Sequence, residues 1–260
     1  MKKLSEKGFT LVELLVVIGI LGILMAALFP AITGAMRNAN MSACSMNGVK
    51  LWTQITAANT SRAAVGESDI WPTTQAEESD DNTDDDITKG FNKAEDYFTK
   101  LFDMENSDKG QGSYNPYVEC DQKVLWGFGV NPPKAGSKEL KADNLLWCIA
   151  ANIPDNAPDF LPLLVSRNVD CSTLLSKMTT SSSKQIGLGK QNGGQYDTPF
   201  STKGCVYIAR GGSGVKLDNA RLATIRTIYS QPFDVSTASS ESSATFCYLV
   251  PGGKVNPTSN

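Results

Sequence analysis

Two kinds of residue in this chain invite chemistry: one isolated carboxylate and six dispersed thiols. Glu13 is the only formal charge in the apolar run from Phe9 to Ile32. A charge placed in hydrocarbon costs about 3 kcal/mol or more, so Glu13 needs a partner or a route to water. The cysteines are Cys44, Cys120, Cys148, Cys171, Cys205 and Cys247. No two are close enough in sequence for a CxxC metal or redox motif. An even, scattered set fits disulfides in an oxidising compartment and buried thiols elsewhere, and 15 pairings are open.

Histidine is absent from all 260 residues. That removes the commonest general base and the commonest metal ligand together, and with them Ser-His-Asp catalysis and His-bound zinc or haem. Acid run Glu77 to Asp86, EESDDNTDDD, suggests calcium. Started at Asp80, the calcium-loop template requires Gly at position six and Glu at position twelve, where the chain has Asp85 and Phe91. The run reads instead as a solvated acidic loop, and no metal site is expected. Gly187-Leu-Gly-Lys190 fails as a phosphate loop because Lys184 and Gln191 stand where Gly and Ser or Thr are needed. Arg210-Gly-Gly-Ser-Gly-Val215 reads as a glycine turn. No enzyme and no cofactor are expected. The net charge of −3 and the lack of a basic stripe argue against nucleic acid as a partner.

The element that positions Glu13 is long. Residues 9–32 would span about 36 Å as a helix, enough to cross a bilayer. Lys2, Lys3 and Lys7 precede the run and no base lies within it, which orients the N-terminus to the cytoplasm and the bulk of the chain outward. A cleaved signal peptide would have a shorter apolar region ending in a small-x-small site. A lipoprotein reading of Met41-Ser-Ala-Cys44 places the cysteine too far beyond the apolar run. Past Ile32, Met36, Ala39, Ala43, Met46, Val49, Trp52 and Ile55 recur at steps of three and four, which predicts an amphipathic continuation to about Arg62. Pro30 interrupts this helix, removing a donor and crowding Ala26. With Gly22 upstream, the stretch 22–30 is where bending or local melting costs least.

The stretch Lys7-Gly-Phe-Thr-Leu-Val-Glu-Leu14 closely resembles the leader junction of type IV pilins and type II secretion pseudopilins. The resemblance covers about thirty residues and implies several things. A prepilin peptidase would cut between Gly8 and Phe9 and methylate the new amine of Phe9. Glu13 would pair with that amine on a neighbouring subunit during assembly. Loss of the +2 leader would leave the mature side chains at −5. The partners implied are copies of this chain or other pilin-like subunits, the peptidase, an inner-membrane assembly platform and, in a secretion machine, a secreted protein. The location implied is the bacterial inner membrane as a single-pass protein, then a periplasmic or extracellular filament. A pseudopilin-like subunit is the leading expectation. The alternatives are a major pilin of an extracellular fibre, whose C-terminal disulfide loop Cys205 and Cys247 could close, and a minor or tip subunit acting as a binding module.

The expected fold is α+β and pilin-like: leader 1–8, transmembrane half-helix 9–32, amphipathic half 33–62, and a globular domain 63–260. In that domain, Phe91 to Met104 predicts a second helix with Thr88 as its N-cap and a face of Phe91, Ala94, Tyr97, Phe98, Leu101 and Phe102. Strands are expected at 145–151, 160–166, 205–210 and 245–250, forming one antiparallel sheet on the helix. Segment 217–229 is ambiguous between helix and strand. Segment 172–195 reads as a short helix followed by loop, and the tail from Pro251 as a turn and a loose end.

Overall fold

The computed structural model describes residues 10–74, 87, 90–106, 115–180, 186–190, 193–218 and 245–256. Gly8, Phe9, Thr88, the acidic run 77–86 and the greater part of 217–229 lie outside these residues. The fold is α+β, with one long N-terminal helix followed by a six-stranded antiparallel sheet and short helices. Helix α1 runs Leu11–Ala63, close to the expected span. The chain divides into two units, residues 1–40 and 41–260, so α1 contributes to both.

In the second unit the sheet comprises β1 (Trp147–Ala151), β2 (Pro162–Ser166), β3 (Gly204–Ala209), β4 (Gly214–Asp218), β5 (Cys247–Val250) and β6 (Gly253–Val255). Its order is β4-β3-β2-β1-β5-β6. Every neighbouring pair is antiparallel, with Cys148 opposite Val165 and Ala151 opposite Cys247. Two strands depart from expectation. Strand β4 forms at 214–218, where no strand is expected and only 217–218 belong to the ambiguous segment, because the turn at 210–213, with Gly212 at φ +82, folds it back on β3. The tail forms a strand over its described part: Gly252 at φ +87 turns the chain so that β6, Gly253–Val255, pairs with β5. These are the two edge strands, and each carries a lysine, Lys216 and Lys254, a residue that discourages pairing with further strands.

The inner strands are buried on both faces, so their sequences read as continuous apolar runs rather than as alternation. On one face Trp147, Ile149, Leu164, Val206, Ile208 and Leu249 join Met41, Leu51 and Ile55 of α1 and the aromatic residues of α2 (Ala94–Leu101). On the other, Cys148, Val165, Tyr207 and Tyr248 join Leu174, Leu175 and Met178 of α3 (Cys171–Thr180). Each fully buried Leu, Ile or Phe contributes roughly 1.5–3 kcal/mol of transfer free energy. The second helical layer is the main departure from the expected single-sided sheet. Asp170 nucleates it: its carboxylate accepts from the Ser172 N–H at 3.0 Å and the Ser172 hydroxyl at 2.7 Å, an N-cap at the start of α3.

Helix α2 is shorter than expected. It starts at Ala94 after Lys93, which makes no side-chain cap, and gives way after Leu101 to a turn in which Asp103 sits at φ +45. All six residues of its expected face are buried. Three buried aromatic side chains place their polar atoms on backbone carbonyls. The Trp147 indole donates to the Val124 carbonyl at 2.8 Å, the Tyr97 hydroxyl to the Ile70 carbonyl at 3.1 Å, and the Tyr248 hydroxyl to the Pro162 carbonyl at 2.7 Å.

The buried face of α1 is also rotated from the expected stripe. Met41, Cys44, Ser45, Gly48, Leu51 and Ile55 face the sheet, while Met46 is 72% exposed and Met36 61%. The reason is the closeness of approach. A Cβ on Gly48 would sit 2.7 Å from Ile208 Cγ1 and 2.8 Å from the Trp147 ring. A Cβ on Gly204 would meet Met41, and one on Gly214 would meet Ser45 and Val49. Small residues are selected where helix and sheet backbones come together, and the larger apolar residues beside them flank the contact.

Candidate functional site in the N-terminal helix

Helix α1 begins at a reciprocal cap. The Thr10 backbone N–H donates to Glu13 Oε2 at 2.8 Å, and the Thr10 hydroxyl donates to the same oxygen at 2.8 Å. The Glu13 N–H in turn donates to Thr10 Oγ1 at 3.3 Å. Threonine followed three residues later by glutamate is a capping box, which satisfies two of the orphan donors of a helix start. Thr10-Leu-Val-Glu13 displays this signal openly in the sequence, beside the question of a charge partner. The carboxylate also lies in the first turn, where the helix dipole favours negative charge. Two hydrogen bonds to neutral donors offset part of its desolvation but supply no countercharge.

Beyond this cap the helix presents apolar side chains to its surroundings. Leu11, Ile18, Ile23, Met25, Leu28 and Phe29 are all more than half exposed. A contiguous surface of this kind marks a membrane or a partner. Length and composition make α1 a candidate membrane span, and a single-pass anchor fits. Helical structure continues through Pro30, with the Thr33 hydroxyl donating to the Pro30 carbonyl at 3.0 Å. A Cβ on Gly22 would meet nothing within 4 Å, so no packing within the chain requires a glycine there.

The structure leaves all six cysteines as free thiols. Cys205 and Cys247, the pair considered for a C-terminal loop, cannot bond in this fold. They lie on opposite faces of the sheet, in separate core clusters, and β2 and β1 stand between their strands. Three strand spacings are about 14 Å, against a limit of roughly 7 Å between bonded Cα atoms. Burial raises the Cys205 thiol to about 12 and the Cys247 thiol to about 11; it also raises Cys120 to about 11, against the pull of nearby Lys50. Cys44 is raised further by burial and by the neighbouring Cys205. These groups are protonated at neutral pH and make poor nucleophiles and metal ligands. Among the described residues, no group of three or more Cys, Asp or Glu is placed to hold a metal ion.

A cleft of about 370 Å³ opens beside the C-terminal half of α1, lined by Trp52, Asp69, Trp71, Asn152, Asp155 and Arg210 among others. Its polar groups are largely committed to the protein itself. Arg210 donates to the Ala157 and Asp155 carbonyls, Asp69 accepts from the Trp71 N–H at 3.2 Å, and Asn152 is bonded to Thr74 and Thr245.

An apolar helix with a single capped carboxylate near its start has a counterpart among known families. Residues 3–29 match the family model of the prokaryotic N-terminal methylation motif. This methylation motif is the signature of type IV pilins and pseudopilins. It takes in Gly8, Phe9, Glu13 and Gly22 and ends one residue before Pro30. No curated protein and no solved structure matches the chain. The methylation motif therefore speaks for the helix, and the globular unit is read from its own geometry.

Proposed function

We propose that this chain is a pseudopilin-like structural subunit of a type II secretion or type IV pilus filament. The methylation motif on a helix with an exposed apolar surface and one carboxylate near its start is the observation that carries this reading. The leader 1–8 is removed by a prepilin peptidase between Gly8 and Phe9, and Phe9 is methylated. Residues 9–32 hold the subunit in the inner membrane, N-terminus in the cytoplasm, until an assembly platform draws it into a filament with copies of itself or other pilin-like subunits. Residues 33–62 carry the exported globular domain, 63–260. A secreted protein would be the cargo.

Assembly moves the helix from lipid to the packed surfaces of neighbours. The Phe9 ammonium of one subunit then meets the Glu13 carboxylate of another. A paired charge in a low dielectric recovers much of its desolvation, and the pairing sets axial register more than it adds stability. Local melting around Gly22 and Pro30 would let the subunit adapt to the filament. The separation of Cys205 from Cys247 removes the feature that favoured a major fibre subunit, which supports the pseudopilin reading over that alternative.

The deciding experiment is intact-mass analysis and N-terminal sequencing of the protein recovered from membranes. The expected product starts at Phe9 and carries one extra methyl group. A product starting at Met1 would overturn the proposal.

A further inference from the structure

The cysteines are not equivalent in space, and one pair stands apart. Cys148 lies on the central strand β1 with its side chain on the α3 face of the sheet, and Cys171 is the first residue of α3. The chain brings them together by a short path. Cys148 is paired with Val165 on β2, the strand ends at Ser166, and the turn 167–170 carries the chain back over β1. The turn is fixed by the Arg167 N–H, which donates to the Leu146 carbonyl at 2.8 Å, and by Asp170, whose N–H donates to the Gly187 carbonyl at 2.9 Å.

The outcome is proximity. Cys148 and Cys171 lie in one core cluster, and both are almost fully buried, at 1% and 3% exposure. Both also line one cavity of about 220 Å³, together with Arg167, Asp170, Gly193 and Val250. Topology keeps the other thiols away from this pair. Cys205 is two strands from β1, and Cys247 points to the opposite face of the sheet. Cys44 lies on α1, on that same opposite face.

We propose that Cys148 and Cys171 are the disulfide-forming pair of this chain, joining α3 to the central strand, and that Cys44, Cys120, Cys205 and Cys247 remain thiols. Two thiols lose two protons and two electrons as the S–S bond forms. The acceptor is a disulfide oxidant, a protein disulfide of the export compartment or oxidised glutathione, which leaves as two thiols after a mixed-disulfide step. The neighbouring Cys148 thiol, burial and, least, the Asp170 carboxylate keep Cys171 protonated in the packed domain. Oxidation therefore belongs to the period of folding, before α3 has closed over β1.

The test is oxidative refolding of the full-length chain in detergent with a mixture of reduced and oxidised glutathione, which does not depend on export or filament assembly. Remaining thiols are then alkylated in denaturant and the peptides mapped by mass. The expected protein is lighter by two hydrogens, contains one linked peptide pair holding Cys148 and Cys171, and is alkylated at the other four cysteines. Reductant should lower its melting temperature, and this sensitivity should vanish in a Cys148→Ser, Cys171→Ser double variant. Alkylation of Cys148 and Cys171 in the refolded wild-type protein, or their linkage to any other cysteine, would overturn the assignment even if the variants fold poorly.

Discussion

The carboxylate of Glu13 and the backbone N–H of Thr10 are joined by a 2.8 Å hydrogen bond that closes the first turn of the long helix. Both residues lie downstream of the Gly8–Phe9 bond, so the cap is retained after cleavage there. On the proposed assembly Glu13 has two separable roles: its oxygen caps the helix, and its charge would pair with the ammonium of a neighbouring subunit. Glu13→Gln preserves an acceptor at the capping position and removes the charge. The variant should keep the amide protection of the first turn and fail to assemble, as read by filament recovery from cells. Thr10→Ala should do the reverse to the cap, costing about 1 kcal/mol and speeding exchange of the Glu13 amide about five-fold. Normal filaments with Gln at position 13 would show that the charge is dispensable.

Gly48 should not tolerate a side chain. Alanine there would gain about 1 kcal/mol of helix propensity but drive its methyl into Ile208 and the Trp147 ring. Trp147 is anchored by its bond to Val124 and has little room to yield. Overpacking of this kind costs about 1–3 kcal/mol, so Gly48→Ala should destabilise the globular unit by about 1 kcal/mol net, and Gly48→Val by more. Urea unfolding of the full chain in detergent, followed by tryptophan fluorescence, reads the shift in midpoint. Ile208→Val should restore part of the loss in Gly48→Ala by shortening the side chain that the new methyl meets.

Asn152 ties three segments together at the end of β1. Its side chain accepts from the Thr74 N–H at 2.9 Å and donates to Thr74 Oγ1 at 2.9 Å and the Thr245 carbonyl at 2.8 Å, from a backbone at φ +54. Replacement by alanine should cost about 2–3 kcal/mol, because the partners lose their bonds and the left-handed backbone becomes strained. Asn152→Gly removes the same bonds but accepts the backbone, and should be less damaging by about 1 kcal/mol. Equal losses for the two variants would mean that the backbone strain contributes nothing.

Asp69 should make stability pH-dependent. It sits at the exposed rim of the cleft, yet the surrounding protein raises its pKa, with Asp155 adding repulsion and the Trp71 N–H opposing both. A carboxyl whose folded pKa is raised binds its proton more tightly in the folded state. Its favourable contribution is present below the ordinary value near 3.8 and is lost as pH rises through the folded pKa. Asp69→Asn keeps an acceptor for the Trp71 N–H and removes the charge. It should therefore raise the melting temperature modestly at pH 7, with the gain shrinking to zero as the pH falls below about 4. A gain of the same size at both pH values would place its cause outside the titration.

The long helix was legible in the sequence because its signals are local. An unbroken apolar run, lysines before it and the residues around Gly8 and Glu13 need no knowledge of the rest of the chain. The four inner strands were equally plain, since burial on both faces turns each into a short apolar run between turn residues. The capping box was also there to be read in Thr10 and Glu13. The identity of the buried helical face was not: Ser45 and Gly48 are chosen by how closely the sheet approaches, and hydropathy ranks them below Met46. The second core layer under α3, the edge strands β4 and β6, and the meeting of Cys148 with Cys171 depend on which distant segments the sheet brings together. Local pattern determined the elements and the motif at the helix start. Tertiary packing alone decided which faces, thiols and glycines became neighbours, because those contacts join residues that no sequence period connects.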